Sequence, residues 1–202
     1  MRRAIVLTSL IGMLAASVPG SVAAAPEDAI RAARVTPHRR EGLLFGCELN
    51  ILVLRRAGPE QPPTQAFAGS AMVLNHMSGE QAAVLRLGIS GPDRRLQPLA
   101  HGVLVGDGAE TSREFIRREE SDGTGVEMFV YRMGPQTSAF FSGLADLGIA
   151  EVAYQSSPGA ALERFRIDVS GRPELLAEWR GCLSDLANSP APGSPAQERN
   201  PS

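Results

Sequence analysis

Two cysteines, far apart in the chain and each set in an apolar periodic pattern, restrict what this sequence can fold into more than any other feature. Cys47 lies in Phe45-Gly-Cys-Glu-Leu-Asn-Ile-Leu-Val53, where Phe45, Cys47, Leu49, Ile51 and Val53 recur at the period of two that places them on one face of a strand. Cys182 lies where Leu176, Trp179, Leu183 and Leu186 recur at helical spacing, with Leu175 and Cys182 flanking the stripe. Both thiols are therefore expected to face the core. In an exported chain two such cysteines pair, which ties the first core strand to the last helix. Chain-entropy arithmetic for so long a loop gives an upper figure of about 5 kcal/mol. The rival reading, a free catalytic thiol, has no evident histidine partner.

Export is read from the first residues. Met1-Arg-Arg leads into an apolar run from Ala4 to Ala16, then Pro19-Gly20 and the small residues Ser21-Val-Ala-Ala-Ala25. A charged start, a short apolar stretch and a small-residue cleavage site describe a secretory signal peptide, taken as residues 1–24. The run is too short to span a membrane, and no later segment approaches the roughly 18 apolar residues a span requires. The mature protein is expected in the periplasm, with no membrane span. Loss of Arg2 and Arg3 leaves 18 basic against 22 acidic side chains and moves the formal net charge from −2 to −4. That balance argues against nucleic acid, which needs a concentrated basic surface. All 20 basic residues are arginine, so a lysine nucleophile, a Schiff base and a phosphate-loop lysine are excluded.

The chain then divides into a flexible N-terminal segment over 25–42, a single domain over 43–187, and a tail over 188–202 that has too little apolar surface to order. Within the domain, Phe67 to Leu74 is apolar and small, Ala83, Leu85, Leu87 and Ile89 alternate with Val84, Arg86 and Gly88, and Leu99 to Val105 runs into a glycine turn. Arg113 to Arg118 and Val126 to Met133 flank Ser121-Asp-Gly-Thr-Gly125, a hairpin signal. Pro135 opens a helix through Phe140, Phe141 and Leu144 that Gly148 stops. Ile149 to Gln155 and Arg164 to Val169 read as paired antiparallel strands, and Pro173 starts the helix that carries Cys182. Many strands with two helices in the C-terminal half predict an α+β fold with a mainly antiparallel sheet, a sandwich or partial barrel.

Chemistry-bearing motifs are sparse. His38, His76 and His101 form no metal-ligand spacing, no Cys-x-x-Cys pair occurs, and no Gly-x-Ser-x-Gly elbow is present. Nothing in the pattern calls for a cofactor or a metal, and the balance leans away from an enzyme. Arg55-Arg56, Arg94-Arg95 and Arg117-Arg118 are the contacts to expect if binding works through charge, because arginine pairs bidentately with carboxylates and phosphates.

The closing pattern is a helix ending in Leu147-Gly148, a strand, Phe165-Arg-Ile-Asp-Val-Ser-Gly171, and a helix with Cys182. It resembles the C-terminal portion of the invasion-associated locus B-like family of small exported proteins of Gram-negative bacteria. Members carry further cysteines in their N-terminal strands, where Cys47 here stands alone. The resemblance implies a β-sandwich-like periplasmic protein without known catalysis, and it carries over no site residues.

The leading expectation is a non-enzymatic periplasmic protein that contacts another envelope protein or the cell-wall surface. A second is a small-ligand binder with a cleft between sheet and helices, lined by His101, Phe140, Phe141 and Trp179. A third is a cell-wall hydrolase or an inhibitor of one, in which His101 and acidic residues carry the chemistry.

Overall fold

The structure is a computed structural model and describes residues 27–58, 60–75, 80–91, 93, 95–106, 109–121 and 125–190. The expected signal peptide, His76, Arg94 and the tail from 191 onward lie outside the described residues.

Strand β1, Glu27–Arg40, turns directly into β2, Leu43–Arg56, and the two pair from Glu27 against Arg56 to Arg40 against Leu43. Glu41 and Gly42 make the turn with φ of 53° and 82°. Positive φ at both central residues is the two-residue hairpin geometry whose twist matches its strands. Residues 27–40, read from the sequence as part of a flexible segment over 25–42, form this strand. A register shift between Ile30 and Ala32 is a bulge, which breaks the period of two. Ile30, Ala33 and Val35 all pack toward the core, at a spacing that reads as neither a clean strand nor a helix.

The larger sheet continues with β3 (Pro63–Asn75) and β4 (Gln81–Ser90). The short β5 (Leu96–Gln97) pairs with β4. A smaller sheet contains β6 (His101–Gly106) and β7 (Ala109–Glu110). A 3-10 turn over Thr111–Glu114 leads to β8 (Phe115–Ser121), and β9 (Val126–Arg132) returns the chain to β4. Helix α1 is Pro135–Leu147, β10 is Ile149–Gln155, β11 is Glu163–Asp168 and helix α2 is Pro173–Ala187. The order is β1-β2-β3-β4-β9-β8 in the seven-stranded sheet, counting β5 beside β4, and β11-β10-β6-β7 in the four-stranded one. Every pairing is antiparallel, and the large sheet does not close into a barrel. The fold is α+β and mostly β, and the β8–β9 hairpin forms with Phe115 opposite Tyr131.

Inward side chains of the large sheet include Cys47, Leu49, Phe67, Leu85, Leu87 and Phe129, all essentially without solvent exposure. Two unlike bodies cover them. Near Cys47 the cover is α2 with α1, and the disulfide between Cys47 and Cys182, with Cα atoms 5.9 Å apart, fastens it. Asn75 Nδ2 also donates to the Leu186 carbonyl at 3.1 Å, which accepts from the Ser189 N–H as well, and so ties β3 to the end of α2. Toward Val53 the cover is the small sheet, which crosses at Gly102. A Cβ at that position would lie 2.7 Å from Leu87 and from Phe129, so only glycine allows the layers this close. The Tyr131 hydroxyl donates to the Gly102 carbonyl across the same contact.

Edge strands β1 and β11 are joined by a clasp. Asp28 accepts from Arg55 Nε at 2.7 Å, from Arg55 Nη2 at 2.9 Å and from the Arg166 N–H at 3.0 Å. The Arg55 guanidinium also lies 4.1 Å over the Phe165 ring, a cation–π contact. At the other side Glu114 replaces a missing N-cap on α1, accepting from the Gln136 and Thr137 N–H groups at 3.1 and 2.6 Å. Burial pushes the Glu114 carboxyl up, but the bonds from Thr137 and Gln136 outweigh it and hold it below its usual range. Gly148, at φ 69°, ends α1 by returning its N–H to the Leu144 carbonyl.

Two substitutions test this packing. Replacing both Cys47 and Cys182 with alanine is expected to lower the unfolding free energy by about 2–5 kcal/mol, read from urea melts; an unchanged midpoint would show that the bond adds no constraint. Gly102→Ala is expected to destabilise by about 1–3 kcal/mol through overpacking, and a variant as stable as the parent would mean that the layers can separate without loss.

Candidate functional site

Sequence reasoning places a cleft between the sheet and the two helices. That space is filled. Phe140, Phe141 and Trp179 are 1%, 4% and 0% exposed, with Phe140 and Phe141 ring centroids 5.3 Å apart and Phe141 and Trp179 6.2 Å apart. Phe140 borders a hollow of about 230 Å³ beside Val105 and Ile149, Phe141 a separate one of about 220 Å³ beside Leu183 and Leu186, and neither includes Trp179 or His101. His101 packs edge-on against Phe115 at 5.8 Å. Helix stripes of large aromatics are what a core requires, and here they fill it, so the four residues do not make one cleft.

A concavity lies on the opposite side of the molecule. The outward face of the large sheet holds a groove of about 480 Å³ that crosses the strands from Ala32 on β1, over Leu52 on β2 and Ala68 on β3, to Arg86 on β4 and Val126 on β9. Its origin is visible in the register. Leu52, Ala68 and Gly88 lie side by side on three strands, as do Asn50, Ser70 and Arg86. Small side chains along these rows leave a trough. Gly69 keeps β3 and β4 close, since a Cβ there would lie 2.5 Å from the Arg86 carbonyl oxygen. Beyond the trough the same face carries Met72 and Val84, both buried, with Leu74, Met128 and Val130 partly so.

At one side of the groove sits a buried charge cluster. Glu48 is 4% exposed and its two carboxylate oxygens are fully occupied. Oε1 accepts from Ser70 Oγ at 2.5 Å and from Arg86 Nη1 at 3.0 Å, and Oε2 accepts from His38 Nε2 at 2.7 Å. Asn50 Nδ2 donates to Thr36 Oγ1 at 3.1 Å beside it. Burial pushes the Glu48 carboxyl up, but the hydrogen bonds from Ser70 and His38 and the Arg86 charge together hold it below its ordinary value. Strand positions explain the assembly: Thr36 stands opposite Glu48, and His38 opposite Gly46, so the β1 and β2 side chains meet on one face.

The order of these groups limits their chemistry. Nucleophilic catalysis by a serine needs a base on the hydroxyl that is free to take its proton, with a third group to orient that base. Here the carboxylate contacts Ser70 directly, the imidazole lies on its far side, and a carboxyl of lowered pKa is a weak base. The cluster is suited to holding a fixed charge pattern beside an apolar surface. Among the described residues no group of three His, Cys, Asp or Glu side chains is arranged to hold a metal ion, and no helix is long and apolar enough to cross a membrane.

Three of the loop-end arginines are committed elsewhere. Arg55 serves the Asp28 clasp, Arg118 pairs with Glu127 at 2.9 Å, and Arg117 pairs with Glu119 at 2.6 Å on the surface. The residues that sequence reasoning missed are Glu48, Ser70, Arg86 and His38. The signal for them was the lost alternation in the middle of β3 and β4, whose outward positions are largely as apolar as the inward ones, with Ser70 and Arg86 standing out between them. The chain matches no protein-family model, no curated protein and no solved structure.

Glu48 makes a pH prediction. A carboxyl whose folded-state pKa is depressed contributes stability that is complete above its ordinary value near 4.5 and is lost as pH falls through the lower folded value. Acid melts are expected to show the native protein losing stability below about pH 4.5 more steeply than Glu48→Gln, which is less stable than the parent at neutral pH. Equal slopes in the two proteins would remove Glu48 from the ionised cluster.

Proposed function

We propose that this chain is an exported, non-enzymatic binding protein of the periplasm that holds an apolar ligand in the groove on the outward face of its seven-stranded sheet. The observation that carries the reading is the groove itself. Its volume of about 480 Å³ falls within the roughly 300–1,000 Å³ usual for small-molecule sites, and it combines an apolar lining with a few placed polar groups. The core, by contrast, is filled where a helix-side cleft was expected. Export is supported by the leader pattern in the sequence and by the disulfide, which suits an oxidising compartment. The resemblance of the closing pattern to the invasion-associated locus B-like family agrees with a periplasmic protein without catalysis.

A second reading rests on a separate observation. The apolar character of the outward face extends past the groove to the partly exposed Leu74, Met128 and Val130, which is more than a small ligand needs. Contact with another envelope protein or with a cell-wall component would use this wider area.

Ala68 is exposed in the middle of the groove, so Ala68→Phe fills it without touching the core. The variant is expected to keep its stability within about 0.5 kcal/mol of the parent and to bind the neutral apolar fluorophore phenylnaphthylamine about tenfold or more weakly. Fluorophore binding that is absent from the parent, or unaffected by the substitution, would move the site away from this face.

A further inference from the structure

Building on the groove as a ligand site, we infer that its ligand is an anionic amphiphile of the long-chain carboxylate class. The Arg86 guanidinium holds the head group, and the hydrocarbon chain lies along Leu52, Ala68 and Val126.

The inference starts from charges that are used and unused. Glu48 borders the groove but is 4% exposed and accepts from Ser70, His38 and Arg86, so its charge is turned inward and offset by its partners. Arg86 is in the opposite state. A guanidinium carries five N–H donors in a fixed planar fork. Among the described residues only Nη1 of Arg86 has a partner, Glu48 Oε1, while the side chain keeps 39% exposure and borders the groove. Arg34, exposed on β1, borders the groove as well. The charge that a ligand meets is therefore positive.

The carboxylate of Glu48 also fixes where that charge sits. It anchors one arm of the fork against the sheet, which reduces the rotamer freedom that a free arginine would lose on binding. A planar carboxylate matches the remaining arm in bidentate geometry, and charge-assisted bonds of this type are about twice as strong as neutral ones.

The rest of the lining selects the ligand body. Leu52, Ala68 and Gly88 are adjacent in register, and a Cβ at Gly88 would already meet Val126 at 3.2 Å and Leu96 at 3.3 Å. Val126 and Leu96 thus cover Gly88, and the apolar trough runs from beside Arg86 over Ala68 to Leu52 across the strands. A sugar or a peptide would leave its hydroxyls or amides without partners there. A cation would face Arg86 and Arg34. A single alkyl chain ending in an anion satisfies both ends of the groove.

The test uses the full mature protein and two probes of equal chain length, dodecanoate and dodecanol, titrated calorimetrically at neutral pH. Dodecanoate is expected to bind about tenfold or more tightly than dodecanol. Arg86→Met is expected to bring the two affinities together, while Ala68→Phe weakens both. The comparison on the unaltered protein needs no variant, so it stands even if Arg86→Met disturbs Glu48 and the fold. Equal affinity for the two probes in the unaltered protein would overturn the anionic class and leave the groove as a purely apolar site. Binding of neither would overturn the ligand reading itself. Tighter binding to phosphatidylglycerol vesicles than to dodecanoate would overturn it in favour of a membrane surface.

Discussion

A seven-stranded antiparallel sheet has one face that must be hidden from water, and the rest of this molecule is arranged by how that is done. No single element is large enough to cover it. The chain therefore supplies two pieces after the sheet is nearly complete: a four-stranded sheet over one half and a helix pair over the other. Each is fixed by a different kind of contact. The helices are fastened covalently through Cys47 and Cys182, whereas the small sheet is fastened by close approach at Gly102, where the absence of a side chain lets backbone rest on Leu87 and Phe129. Burial of this apolar area, at about 25 cal/mol for each Å² removed from water, is the term on which both fastenings depend.

Much of the covering layer was legible before the structure. The helical stripe of Leu176, Trp179, Leu183 and Leu186, the proline starts and the Gly148 stop are local signals, and local signals survive tertiary context when they agree with it. The alternation around Cys47 was likewise enough to place it inward. Strand β1 was not legible, because its bulge between Ile30 and Ala32 removes the regular period on which strand reading rests, and because Arg39-Arg40-Glu41 looks like solvated chain while Glu41-Gly42 is in fact the hairpin turn. Nor could the aromatics be assigned. Phe140, Phe141 and Trp179 have the composition of a pocket wall and the burial of core, and only packing distinguishes the two.

The groove escaped for another reason. Alternation analysis asks which face of a strand is dry and assumes that the other is wet. In the middle of β3 and β4 both faces are largely apolar, so the test returns little contrast, and Ser70 and Arg86 look like ordinary solvent-facing residues. They become meaningful only when strand register brings Ser70 and Arg86 to Glu48. A buried carboxylate with three donors is an arrangement that sequence spacing across 38 residues, from Glu48 to Arg86, cannot announce.

The disulfide also sets how the folded chain answers to mechanical force. Residues Cys47 and Cys182 are 135 positions apart, and everything between them, including the groove-bearing strands β3, β4 and β9 and the whole small sheet, lies inside the covalent loop. Tension applied between the two ends of the chain passes across the sulfur–sulfur bond and bypasses that loop. Only the segments outside it can lengthen. Strand β1 lies in the outer part and is held by its ladder to β2 and by Asp28, so it is the element that would peel. A protein anchored or tugged at its termini would then lose its edge strand and keep most of the sheet behind the groove unstretched.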